Sequence, residues 1–185
     1  METPWTQAYL QHFARFFGKP FDIELYGSAT GIPLRLATYD LRYKQFRVYA
    51  SIGMADEVND DAGEIILLSD DFKKDVPQIF VNSLFFILDH DIPLASRFAV
   101  AGVDSLNPEF ADYYDKAAIY IGAADGFEEG FDKVECEGET GSVFQGLFIS
   151  ANELDFLRRK GPGEFETLFK KQDTELCSLR RPSMF

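Results

Sequence analysis

The sequence predicts an α+β fold: a single domain over residues 1–185, with a mixed, mainly antiparallel β-sheet covered by helices. Three observations predict it. Apolar residues recur at helical spacing near the start, at residues 76–87 and after Ser150. Alternating apolar and polar residues crowd the stretches between. Helices and strands also come in runs and do not follow a regular βαβ order.

Each element has its own signal. Thr3 caps a first helix with Pro4 at its first position, and Trp5, Tyr9, Phe13 and Phe16 form one apolar stripe. Gly18 and Pro20 end it. Phe21, Ile23 and Leu25 then alternate with polar residues, as in a half-buried strand, and Gly27–Gly31 reads as a loop. Ile32, Leu34 and Leu36 alternate again. Phe46, Val48, Ala50 and Ile52 mark a longer strand, with Arg47, Tyr49 and Ser51 on its other face. Ala55–Gly63 is an acidic turn, and Ile65–Leu68 is an apolar run suited to a central strand.

Asp70 or Asp71 is expected to open the next helix, carried by Val76, Ile79, Phe80, Ser83, Leu84 and Ile87 with Pro77 in its first turn. Strands are expected over Phe98–Val103, Ala117–Ile121, Val134–Glu137 and Val143–Ile149, the last two joined through Gly138 and Gly141. Ser150 and Glu153 then form a capping box, Gly161 stops that helix, and a second short helix follows.

Composition limits the class. Hydrophobic residues make up 46% of the chain and Phe alone accounts for 19 positions, which suits a packed globular domain. The start has no basic segment followed by an apolar one, so no signal peptide is expected; Leu84–Leu88 is too short an apolar run to cross a bilayer. Two cysteines, Cys136 and Cys177, make no disulfide framework and suit a reducing cytoplasm.

Charge is unevenly placed. The net charge is −13, yet residues 51–150 alone hold 21 Asp/Glu against five Lys/Arg. Such a field repels nucleic acid and anionic membranes and attracts a basic protein. The plainer reading is that these carboxylates solvate loops.

Motifs of catalysis are missing. His12 and His90 have no second ligand at metal spacing, and the segment from Asp125 fails the EF-hand pattern, with Phe127 at position three and Cys136 at position twelve. Cys136 stands between Glu135 and Glu137, which disfavour a thiolate. No catalytic residue, metal or cofactor is therefore expected. The surplus of Phe, including Phe16, Phe17, Phe80, Phe85, Phe86, Phe127 and Phe131, is read first as core; Phe127 and Phe131, among glycines and acids, are the pair expected to be exposed.

Three stretches in order carry a resemblance. They are Leu10–Phe13 through Phe17-Gly18-Lys19-Pro20; Tyr49–Met54 followed by Glu64–Leu68; and Ile149–Leu154 through Arg181-Pro182-Ser183. In order and spacing they resemble the suppressor-of-fused domain. That resemblance implies an α+β domain that binds other proteins and is no enzyme. Animal members restrain Gli-type transcription factors, and compact bacterial members look like immunity proteins that neutralise cognate toxins.

The leading expectation is thus a cytoplasmic, non-enzymatic immunity protein that binds a basic toxin, such as a nuclease, stoichiometrically. The candidate partner-binding residues are Asp56, Glu57, Asp60, Asp61, Asp125, Phe127, Glu128, Glu129 and Phe131. The alternatives are a regulator that holds an extended peptide of a transcription factor or other signalling protein on a strand edge, and a hydrolase built around His90 or Cys136.

Overall fold

The computed structural model describes residues 2–28, 31–41, 45–57, 62–171 and 175–185. The elements run α1 (Pro4–Phe17), β1 (Asp22–Gly27), β2 (Pro33–Leu41), β3 (Phe46–Ile52), a 3-10 turn at Met54–Asp56, β4 (Gly63–Ser69), α2 (Asp75–Asp89), a second 3-10 turn at Leu94–Ser96, β5 (Phe98–Ala101), α3 (Val103–Leu106), α4 (Pro108–Tyr114), β6 (Ala118–Ala123), β7 (Lys133–Cys136), β8 (Glu139–Ile149), α5 (Ala151–Lys160) and α6 (Pro162–Lys171).

Among the described residues the strands form one eight-stranded sheet, β1-β2-β3-β4-β8-β6-β5, with β7 beside the start of β8. All pairs are antiparallel except β4–β8. The fold is α+β, as the element pattern predicts.

Helices cover both faces of this sheet. Alternate residues of a strand point to opposite faces, and the packing follows that rule. Ile65 and Leu67 of β4, with Tyr49 of β3 and Ile119 and Ile121 of β6, meet Ile79, Phe80 and Leu84 of α2. Ile66, with Val48, Ala50 and Ile52 of β3, faces Tyr9 and Phe13 of α1. Further along, Tyr120 and Ile149 pack under Leu154, Leu157, Phe165 and Phe169 of α5 and α6. A sheet covered on both sides explains why Ile65–Leu68 reads as an unbroken apolar run.

Helix α1 follows its sequence signals closely. Thr3 Oγ1 accepts the Thr6 N–H at 3.0 Å, and Gly18, with φ +82°, closes the helix. Tyr9 and Phe13 are fully buried. The Tyr9 hydroxyl lies 2.8 Å from the Ala62 carbonyl and 2.9 Å from that of Ser142, tying α1 to β4 and β8.

Four expectations need correction. The second helix starts at Asp75, because Asp70 and Asp71 serve elsewhere: Asp70 accepts the Leu179 N–H at 2.9 Å, and Asp71 accepts from the Tyr114 hydroxyl. The strand from Phe98 ends at Ala101, since Gly102 takes φ +104° and Val103 opens α3. The β7–β8 turn is Glu137-Gly138, both at positive φ as a two-residue hairpin requires, while Gly141 lies within β8. A Cβ on Gly141 would fall 2.5 Å from the Tyr9 hydroxyl and 2.6 Å from the Ala62 carbonyl, so α1 can sit there only over a glycine. The fourth correction concerns β1: the strand forms, but it is not half-buried.

Candidate protein-binding surface

β1 ends the sheet. It pairs with β2 from Asp22 opposite Thr38 to Gly27 opposite Pro33, and an end strand carries a row of main-chain donors and acceptors on its outer side. Leu25 is 70% exposed, Phe21 65% and Ile23 44%. Ile23 opposite Ala37 and Leu25 opposite Arg35 stand on the face that carries α1; Asp22, Glu24 and Tyr26 stand on the other. The Tyr26 hydroxyl donates to Glu24. Burial and that bond to a carboxylate push the Tyr26 phenol well above its ordinary pKa.

The start of β1 leads to a depression. Phe21 lies over the Arg47 guanidinium at 5.6 Å, and the half-exposed Phe72 lies over the same group at 4.6 Å. Arg47 also faces Asp40 at 3.8 Å. Arg47, Phe72, Asp40, Asp70 and Glu175 line a concavity of about 650 Å³. Apolar side chains, exposed main chain and a polar hollow thus lie side by side along one edge.

The described acidic candidates lie at opposite ends of α1, a helix about 20 Å long. Asp56 accepts from the Thr3 hydroxyl at 2.7 Å and the Thr6 hydroxyl at 3.2 Å, so it holds the helix start, while Glu57 is exposed. Asp60 and Asp61 lie outside the described residues. At the other end, Asp125, Phe127, Glu128 and Glu129 surround an open concavity of about 380 Å³. Asp125 pairs with Lys170 at 2.9 Å, and Glu128 and Glu129 are exposed.

The expected exposure of Phe127 and Phe131 is corrected. Phe131 is 1% exposed and packs edge-on against Phe16 and Phe17, and Phe127 is half-buried and stacks on Phe131 at 4.2 Å. These rings pin the acidic loop to α1; Phe131 is not available to a partner.

The groups weighed for chemistry lie apart from one another in their contacts. His12 Nε2 is 2.8 Å from the Phe131 carbonyl, within the same aromatic cluster. Burial outweighs that hydrogen bond and lowers the His12 pKa. His90 Nδ1 is 2.9 Å from the Phe86 carbonyl, and its ring stacks on Phe86. Both cysteines are free thiols. Partial desolvation and the charges of Glu137, Glu139 and Asp56 raise Cys136, and burial pushes Cys177 up to about 11. Among the described residues no group of His, Cys, Asp or Glu could hold a metal ion, and no helix is long and apolar enough to cross a membrane.

Two buried carboxylates went unmarked in the sequence reading of function. Glu64 is fully buried and accepts from the Ser51 hydroxyl at 2.5 Å, Gly53 N–H at 2.7 Å and Ala55 N–H at 3.2 Å. Burial nevertheless pushes it up to about 7. Glu153, expected only as half of a capping box, also holds Arg181 at 2.5 Å. The exposed pair Ile23 and Leu25 was read as half-buried. The available signal was Asp22 and Glu24 beside them, since charge on a short strand marks an edge.

No protein-family model and no curated protein matches the sequence. Solved structures do match the fold. A suppressor-of-fused homologue from Neisseria gonorrhoeae FA 1090 superposes with a TM-score of 0.75 at 15% identity, over 98% of this chain and 97% of that one. A chain of the Sufu–Fu complex superposes with a TM-score of 0.65 at 9% identity, over 97% of this chain and 92% of that one. The protein therefore has the suppressor-of-fused fold across its whole length, as the three sequence stretches suggest.

Proposed function

We propose that this protein is a non-catalytic binding domain that acts by forming a stoichiometric complex with another protein, as an immunity protein does with its toxin. The observation that carries this reading is β1: an end strand with Leu25, and Phe21 just before it, about two-thirds exposed. A lone domain gains nothing from such an edge, which invites strand pairing. The partner is read as a basic protein, such as a toxin nuclease. Glu57, Glu128 and Glu129 project into solvent and supply part of the field that would speed encounter with it. A structural neighbour is itself seen as the Sufu–Fu complex, which supports binding as the mode of action.

A second reading has an observation of its own. The free edge of β1 beside the Arg47–Phe72 hollow suits a regulator that sequesters one extended segment of a signalling protein. The two readings separate by partner. Co-purification with the product of the adjacent gene, analysed by mass and by inhibition of that product, tests both. A one-to-one complex that silences a toxic activity supports the immunity reading; a complex with a transcription or signalling factor supports the regulator. Turnover of a small molecule that disappears with His90→Ala or Cys136→Ser would overturn the non-catalytic assignment.

A further inference from the structure

The geometry points to a specific occupant for the β1 edge: an extended segment of another protein in which Lys or Arg alternates with aliphatic residues. This inference rests on the binding function proposed above and assigns its contact surface. A strand added to β1 must place its alternate side chains on the same two faces that β1 uses. On one face they would meet Ile23 and Leu25, which are largely exposed and next to Ala37 and Arg35 of β2. On the other they would meet Asp22 and Glu24.

Two cations described near this edge already have partners. Arg35 reaches Glu2 at 3.1 Å, and Arg47 lies by Asp40 and between the rings of Phe21 and Phe72. The two carboxylates therefore set the charge preference of the outer row. Apolar contact on one face and opposite charge on the other fix which side chains of the guest face which way, since a slip by one residue exchanges the two sets.

A second copy of this chain is the wrong occupant. An antiparallel β1–β1 register that pairs Ile23 with Ile23 sets Asp22 against Glu24, and one that pairs Ile23 with Leu25 sets Glu24 against Glu24. Like charges across a strand pair are destabilising, and a net charge of −13 on each molecule adds to the repulsion. The acidic residues thus act twice, discouraging self-pairing and selecting a basic guest.

The test uses the whole isotope-labelled protein and three synthetic peptides of about eight residues, a usual strand length. One alternates Lys and Val, one alternates Glu and Val, and one is the Lys–Val peptide with a central Pro. The Lys–Val peptide is expected to shift the amide resonances of Asp22–Gly27, and to bind about tenfold or more tighter than either control, because the Glu peptide is repelled and Pro breaks the added ladder. Glu24→Lys, on the exposed strand, should erase the preference between the Lys and Glu peptides, and adding Asp22→Lys should reverse it. Shifts centred elsewhere, equal binding of the acidic peptide, or dimerisation through β1 without peptide would overturn the assignment. If Ile23→Pro leaves the native partner complex intact, the β1 site falls while the binding function stands.

Discussion

The two ends of this chain treat their polar groups in opposite ways. In the C-terminal module, Ser150, Glu153 and Arg181 are all buried, and their hydrogen-bonding atoms point at one another. Glu153 Oε2 accepts the Ser150 N–H at 2.8 Å, while its two oxygens hold the Arg181 guanidinium at 2.5 and 3.0 Å. Arg181 also donates to the Phe148 carbonyl, and the buried Lys116 donates to the Arg181 carbonyl at 3.1 Å. Burial alone would raise the Glu153 pKa, but Arg181 holds it below the ordinary carboxylate value. At β1, by contrast, two large apolar side chains of the strand, Phe21 just before it and one side of the main chain face solvent. The first region shows how the chain closes on itself. The second leaves the apolar side chains of an end strand open, and it is there that the proposed partner would bind.

The sharpest way to break this contrast is to open the closed end. Arg181→Met should lower the unfolding free energy by about 3–5 kcal/mol, since a buried carboxylate then loses its counter-charge. Urea unfolding followed by circular dichroism measures it. A loss below about 1 kcal/mol would mean that the module does not depend on the pair.

A second test concerns Glu64, the buried carboxylate beneath the turn that follows β3. Its folded pKa, about 7, lies above the ordinary 4.5, so between those values the folded state binds the extra proton. Its contribution to stability is therefore full at low pH and falls as pH rises through 7, by about 3 kcal/mol in all. Subtracting the pH profile of Glu64→Gln from that of the wild type isolates this slope from the opposite trend of Glu153. A flat difference would show that folding leaves the Glu64 pKa at its ordinary value.

Gly141→Ala should cost about 1–3 kcal/mol, because the new methyl meets the Tyr9 hydroxyl and the Ala62 carbonyl. Calorimetric melting reads this as a lowered Tm. The smallest stability effect is expected at the open end. Leu25→Thr should change stability by no more than about 0.5 kcal/mol, while weakening the partner complex by about tenfold, the cost of losing one apolar anchor. Comparable losses of stability at Leu25 and Gly141 would erase the distinction between the two regions.

How much of this was legible depended on whether the signal was local. Thr3-Pro4, Gly18, the Ser150–Glu153 capping box and Gly161 act through neighbours in sequence, and each fell where expected. The central position of β4 followed from Ile65–Leu68, whose composition already says that both faces are covered. What failed depended on distant residues. Asp70 resembles a helix cap, but its partner is Leu179, far along the chain. Glu153 and Arg181 are 28 positions apart, and no spacing rule joins them.

The candidate contact residues show the same limit of local signals. The stretch Asp125–Glu129 does form one acidic patch, whereas Phe131 is captured by α1, which lies more than a hundred residues earlier. For β1, alternation announced a strand but was mute on whether anything would cover Ile23 and Leu25. Periodicity reports which residues share a face; it does not report what that face meets.

Amide hydrogen exchange across Asp22–Gly27, in the free protein and in its complex with the captured partner, addresses the β1 edge most directly. If a guest strand completes the sheet there, exchange in this segment slows by about tenfold or more on complex formation, while the Ser150–Lys160 segment is unchanged. Exchange at β1 that stays as fast in the complex, with protection appearing on another surface, would contradict the account.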